Sequence, residues 1–412
     1  MYGGERHSDD ERRTISGRND AVKSVLSISK RARRLWLTLV MACIPSMAAV
    51  DVSMGAEPRL NQIQVIGTHN SYHLAPHPDL MNLLRLTSQR QAESIDYSHR
   101  ILAEQFGKLG IRQIELDLFH DPAGGLFAEP ALRTTLRNLG RDQGPDPNAE
   151  GVLNLPGLKV LHVQDVDYRS TVPTFEIALR QIRTWSAANP GHVPIMVLVE
   201  LKDNAIKGLA TIPKKFDPAA LDEVDKTIDK VFARSECYVP DDLRGDCETL
   251  PEAITQHGWP ELKAIRGKVI FALDNEGMIR DMYIANRPNL SGRRMFVTPP
   301  SEGHPAAAFF KLNDPIRDFE KIRRLAKAGY IVRTRADADT RQARSGDTAQ
   351  RDKALASGAQ FVSTDYPEPR LEWSVYQVKF EKGVVARPNP VTGANLPDMD
   401  LDDAARTQIE SR

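Results

Sequence analysis

The chain has 412 residues, with 55 Lys and Arg against 55 Asp and Glu, for a formal net charge of +0. That balance leaves no general basic face for nucleic acid, and the length accommodates one barrel of about 250–300 residues plus extensions. The first 56 residues hold nine of the basic and six of the acidic side chains, so 46 against 49 remain, a net of −3.

Lys30-Arg-Ala-Arg-Arg34 precedes the apolar run Leu35–Ile44, and small residues follow around Ser46–Ala49. A basic region, a short apolar region and small residues read as an export signal, and the run is short for a mature membrane helix. Arg33-Arg34 also resembles a twin-arginine signal, and Val40-Met-Ala-Cys43 a lipoprotein cleavage site. The expectation is a periplasmic or secreted protein: residues 1–56 as extension and signal, 57–372 as a catalytic barrel, 373–412 as a C-terminal extension. If Cys43 leaves with the signal, Cys237 and Cys247 remain across a Pro/Gly/Asp-rich loop. In an exported protein they most simply form a disulfide, with two free thiols as the alternative and a metal site the poorer reading.

The mature chain opens with Ile63-Gln-Val-Ile-Gly-Thr-His-Asn-Ser-Tyr72, an alternating strand that ends in His69 and Asn70. Helical sequence follows over Leu80–Leu109, closed by Gly110. Ile111–Phe119 is the second strand, and the Gly/Pro-rich stretch 121–157 has the length of a lid or rim insertion. Leu158–His162 reads as the third strand and Val172–Ala188 as an amphipathic helix. Val193–Leu201 is an unbroken apolar run, as in a parallel strand buried on both faces.

Helix Pro218–Arg234, strand Gly267–Asp274 and a short strand Arg294–Val297 come next. Ala306–Phe310 reads as an apolar rim or as the buried side of a short helix. Asp314 and Pro315 predict a helix start running to Ala328. Strands Tyr330–Arg335 and Gln360–Asp365 flank helix Thr348–Ser357. About eight strands with helical crossovers is the pattern of a (β/α)8 TIM-type barrel. A doubly wound sheet would be expected to carry a glycine-rich phosphate turn, and none is present. From Trp373 the chain offers one strand-like piece, Val375–Val385, then a Pro/Asn/Asp-rich end expected to be mobile.

Ionisable residues collect at these strand ends. Glu115 and Asp117 are two apart and face the same way, His162 closes the third strand, and Glu200 and Lys202 close the fourth. Unpaired charge is costly beside Ile114, Leu116 and Leu118, although Lys202 could satisfy Glu200 without a metal. Carboxylates at Glu115, Asp117 and Glu200 with the amide oxygen of Asn70 form a hard-oxygen site suited to Ca2+, less so Mg2+. His69 and His162 beside it can divide general-base and general-acid roles. His73, His77 and His120 are set aside as solvated loop histidines, and Asp337-Ala-Asp339 lacks the glycine a calcium loop needs.

Gly67-Thr-His69-Asn70-Ser-Tyr72, Glu115-Leu-Asp117, His162 and Val199-Glu200-Leu-Lys202 resemble the bacterial, calcium-dependent branch of the phosphoinositide-specific phospholipase C family, over about Gln62–Pro367. The resemblance implies Asn70, Glu115, Asp117 and Glu200 as calcium ligands and His69 and His162 as the catalytic pair. It implies cleavage of a phosphatidylinositol-type lipid, at a membrane surface, to diacylglycerol and a (cyclic) inositol phosphate. Lys202 and Arg335 become candidates to hold phosphate or ring hydroxyls, or equally partners of nearby acids. The paired lysines of the animal enzymes have no clear counterpart on strand five, where Leu273-Asp274 stands, which counts against multiply phosphorylated inositides. No protein partner is inferred. A glycerophosphodiester phosphodiesterase shares the barrel, the E-x-D and a histidine pair, but usually has arginine where Asn70 stands. A non-catalytic barrel binding lipid headgroups or sugars is the other alternative, and the presence of both histidines argues against it.

Overall fold

A run such as Ile195-Met-Val-Leu-Val-Glu-Leu201 has apolar groups on both faces, and a strand of that kind must be covered on both. The chain does this by rolling its strands into a barrel. The computed structural model describes residues 57–404, so the segment expected to be an export signal, Cys43 included, lies outside the described residues. The strands are β1 (Ile63–Thr68), β2 (Gln113–Asp121), β3 (Gly157–Val160), β4 (Ile195–Leu201), β5 (Val269–Leu273), β6 (Met295–Val297), β7 (Phe309–Lys311), β8 (Ile331–Arg335), β9 (Phe361–Thr364) and β10 (Ala386–Pro388). Eight run parallel in the order β6-β5-β4-β2-β1-β9-β8-β7. Across the seam between β6 and β7, the Lys311 N–H donates to Thr298 Oγ1 at 2.9 Å. With helices between the strands, this is a nearly closed (β/α)8 barrel of TIM type.

Two strands differ from the sequence expectation. Leu158–His162 does not contribute a barrel strand. β2 runs nine residues, past the barrel rim, and its end pairs antiparallel with β3, Leu118 opposite Val160 and Asp121 opposite Gly157. The eighth parallel strand is β7 instead. Ala306–Phe310 is thus neither rim nor helix: its alanines are buried and Phe309 opens the strand.

The expected helix over Leu80–Leu109 is three short ones, Pro78–Thr87, Gln89–Ser94 and Leu102–Gly107, with non-helical residues 96–100 before the third. Helices Phe175–Ala188 and Pro218–Val231 start where Thr174 and Asp217 accept backbone N–H groups. Asp314 accepts from Ile316 and Arg317 within a turn, and the helix proper is Phe319–Lys327.

The C-terminal segment, expected to be mobile, is packed as far as Ala404. β10 pairs antiparallel with the start of β1, Ile63 opposite Pro388. Beyond it the buried Asp402 carboxylate takes the Arg112 guanidinium at 2.6 and 3.1 Å and the Val193 N–H at 3.0 Å. Arg112 and Val193 precede β2 and β4, so this segment covers the end of the barrel opposite the strand exits.

The expected disulfide is absent, and Cys237 and Cys247 are free thiols. Cys237 is buried where the chain bridges Val269 on β5, whereas Cys247 Sγ lies 3.7 Å from Gln256 Oε1 at the surface. The helix Pro240–Arg244 lies between them in the chain.

Candidate active site

The first motif leaves β1 through a close crossing. Gly67 faces Gln113 on β2, and a Cβ at position 67 would meet the Gln113 side-chain oxygen at 2.1 Å. Only glycine fits there. Asn70 then takes φ 44, a left-handed conformation asparagine tolerates better than most residues. Ser71 exchanges hydrogen bonds with the Glu115 backbone, its N–H donating to the carbonyl and its Oγ accepting the N–H, both at 2.9 Å. These contacts hold His69 and Asn70 against the middle of β2.

Glu115 and Asp117 share a face of β2, and Asp117 stands opposite Glu200 on β4 in register. One carboxylate oxygen from each of the three lies within 4.8 Å of the others. Asn70 Oδ1 and both Asp117 oxygens are buried without a hydrogen-bond donor, while Asn70 Nδ2 donates to the Tyr97 hydroxyl at 3.1 Å. Lys202 Nζ lies 2.8 Å from Glu200 and 3.1 Å from Asp117 Oδ2, the latter an ion pair outside hydrogen-bond geometry. Burial pushes the Asp117 carboxyl up to about 7, with Lys202 opposing and Glu200 adding to the push. Burial likewise pushes Glu115 upward. Arg333 Nη2 at 2.5 Å from Glu115 Oε2 opposes that push, and the ionised pair is the state we take for this site.

On the β9 side, His69 Nδ1 donates to Asp365 Oδ1 at 2.9 Å, and Arg335 Nη1 lies 3.2 Å from His69 Nε2. Burial, then Arg335, holds His69 well below its ordinary value, so the ring is neutral with Nε2 bearing the lone pair. Arg335 also donates to Asp365 at 3.1 Å. The Asp365 carboxyl is held far below the carboxylate range because His69 and Arg335 outweigh its burial. In the turn after β3, His162 Nδ1 lies 2.7 Å from Asp167 Oδ2.

The structure therefore brings together His69, Asn70, Glu115, Asp117, Glu200, Lys202 and Arg335, with His162 held by a carboxylate of its own. Sequence reading missed Asp365, Asp167, Arg333 and the segment Tyr97–His99. It also set aside His73, which is fully buried with both Asp167 oxygens 2.8 Å from Nε2. Asp365 was legible as a strand-end acid on Gln360–Asp365. The others carry no local signal, because their partners come from other strands and turns.

The parallel barrel thus carries an acidic oxygen cluster and a carboxylate-held histidine at its strand ends, and a second carboxylate-held histidine in the turn after β3. The Ca2+-dependent phosphoinositide phospholipase C family model matches residues 58–390. The chain belongs to that family, and so to the phosphoric diester hydrolases of phosphatidylinositol-specific phospholipase C type. Among curated proteins none matches. Similar solved structures include a calcium-dependent phosphoinositol-specific phospholipase C from a Gram-negative Pseudomonas sp., at 14% identity and TM-score 0.47, covering 80% of this chain and 95% of that one. Another is the Ca2+-dependent phosphatidylinositol-specific enzyme of Streptomyces antibioticus, at 17% identity and TM-score 0.46, covering 81% and 99%.

Proposed function

We propose that this chain cleaves phosphatidylinositol-type lipids at a membrane surface to diacylglycerol and a cyclic inositol phosphate, with Asn70, Glu115, Asp117 and Glu200 holding Ca2+. The observation that carries the metal assignment is the buried Asn70 Oδ1, which has no hydrogen-bond donor, beside three clustered carboxylates that have the Lys202 ammonium as their shared cation on the Asp117–Glu200 side. Oxygen donors of this kind suit a hard cation, and a divalent charge would relieve the upward push on the buried acids. When bound, Ca2+ would polarise a phosphoryl oxygen and lower the pKa of the attacking ring hydroxyl.

The protein's own groups then divide the proton work. Neutral His69, oriented through Nδ1 by Asp365, accepts the ring hydroxyl proton at Nε2 as the oxygen attacks phosphorus. His162, held through Nδ1 by Asp167, delivers a proton from Nε2 to the departing diacylglycerol oxygen. One P–O bond forms and one breaks, and the two histidines exchange protonation states. Arg335, already beside His69 Nε2, is the candidate to hold the phosphate. The basic, apolar and small pattern of residues 30–49 adds export to the periplasm or exterior to this proposal.

The test is release of water-soluble inositol phosphate from phosphatidylinositol vesicles, in Ca2+ and in EGTA, by wild type and His69→Ala. The expected result is calcium-dependent release that vanishes in the variant. Silence on vesicles with turnover of glycerophosphoinositol would transfer the reading to a glycerophosphodiester phosphodiesterase, and silence on both to a binding barrel.

A further inference from the structure

We propose that His73 is a positioning residue that acts through Asp167 to fix the ring of His162 with Nδ1 protonated. The inference rests on the reading of His162 as a proton donor, but its first measurement does not depend on activity.

His73 lies three residues beyond Asn70 and is completely buried. Its Nδ1 lies 3.0 Å from the Tyr97 carbonyl, and its Nε2 lies 2.8 Å from each Asp167 oxygen. Both partners are acceptors, so each ring nitrogen is held at hydrogen-bond distance, and Nε2 faces the Asp167 carboxylate. The Tyr97 ring stacks on His73 with centroids 4.3 Å apart and fixes its plane. A histidine tied at both nitrogens and stacked has no rotational freedom left.

Asp167 receives that rigidity and hands it on. It sits at the end of a tight turn after β3, with Asp165 at φ 66, where the Asp167 carbonyl accepts the Val163 N–H at 2.9 Å and the His162 N–H at 3.2 Å. Its side chain is buried, and Oδ2 meets His162 Nδ1 at 2.7 Å. Burial alone would push this carboxyl up, yet the two histidines hold it at about 2, so it stays an acceptor. Facing such an acceptor, His162 must carry its proton on Nδ1 when neutral, which leaves Nε2 for the substrate. Removing an orienting partner of this kind typically lowers activity about 10–100-fold.

The same three side chains could in principle hold a metal ion, since one donor atom from each lies within 4.8 Å of the others. Their donors, however, already satisfy one another at hydrogen-bond distance, whereas the Asn70–Asp117 oxygens do not.

The test begins with the ring nitrogens of 15N-histidine-labelled wild type, assigning His162 by comparison with His162→Gln. The expected signature is an Nδ1-protonated ring, lost in Asp167→Asn and partly restored by the amide donor of His73→Gln relative to His73→Leu. On vesicles, kcat should fall about 100-fold for Asp167→Asn and roughly 10-fold for His73→Gln, with KM within about twofold. A His162 protonated on Nε2 alone, with Nδ1 bare, in wild type overturns the proposal even if no variant folds. So does a kcat loss that tracks Tm while the His162 tautomer is unchanged, or stoichiometric zinc in the purified protein that resists EDTA and shifts these resonances. If wild type proves silent on vesicles, the function reading fails and the tautomer measurement still decides this one.

Discussion

Lys202 bridges two carboxylates that a divalent cation would also seek, and the two occupants cannot share the same oxygens at full strength. Its ammonium is about a quarter exposed, with Asp117 fully buried and Glu200 near the rim. Lys202→Met should therefore destabilise the protein in EGTA by about 1–2 kcal/mol, seen as a lower melting temperature. The same change should enlarge the rise in melting temperature that Ca2+ produces, because the site no longer releases a competing cation. Equal calcium shifts in wild type and variant would remove Lys202 from the metal site. His192 supplies a pH dependence with a definite sign. Burial drives its ring from 6.5 down to about 4, and Nδ1 donates to the Val193 carbonyl at 2.6 Å, so the folded state keeps it neutral. A folded pKa below the unfolded one means its stability contribution is full above pH 6.5 and declines as pH falls towards 4. The loss is about 3 kcal/mol, and His192→Gln should flatten the melting curve across that window while lowering it overall.

At the scale of elements, the segment after β10 is anchored by the buried Arg112–Asp402 charge pair, alongside the Leu401 N–H on the Ala386 carbonyl and the Arg266–Asp403 ion pair nearer the surface. Asp402→Ala would strand the Arg112 guanidinium, which is 2% exposed, and leave the Val193 N–H without its acceptor. The expected loss is about 3–5 kcal/mol in chemical denaturation, with Asp402→Asn milder because an amide oxygen still accepts that N–H. Native activity at low temperature should be unchanged, since the pair lies at the end of the barrel away from the strand exits. Nothing local in Pro-Asp-Met-Asp-Leu-Asp signals this role; the pairing exists only once β2 and β4 bring Arg112 and Val193 side by side. The same reason explains what else was hidden. Seven of the parallel strands were legible because their apolar runs or strand-end acids are local features, while β7 is three residues long and carries no period to read. β3 has the alternation of a strand but no marker of direction, so its antiparallel pairing with the overhanging end of β2 could not be told from a barrel crossover. Glu115, Asp117 and Glu200 announced themselves as charge inside apolar strands. Arg333 did not, because what makes it part of the site is the pairing of β7, β8 and β9, which aims its guanidinium at Glu115, Ser363 and Asn313 together.

The molecule as a whole has two unlike ends. One end of the barrel is covered by β10 and the Asp402 segment, and the other carries the acidic cluster and both histidines. The loops leaving β4, β5 and β7 on that second end also carry large apolar side chains in water: Ile206 at 44%, Ile212 at 67%, Met278 at 77% and Ile316 at 56% exposure. Single exposed apolar residues are ordinary, but these share the rim through which a lipid headgroup would have to enter. Burying one such side chain in an apolar medium is worth roughly 1.5–3 kcal/mol, so two of them set vesicle affinity by more than tenfold. Ile212→Ser with Met278→Ser should raise the apparent KM on phosphatidylinositol vesicles by roughly tenfold or more, and lower vesicle co-sedimentation in step. Hydrolysis of a short-chain, monomeric phosphatidylinositol should be unaffected, because neither residue touches the histidines or the acids. Equal losses on vesicles and monomer would mean these loops shape the pocket itself. No loss on either would mean that the lipid is reached from another part of the rim.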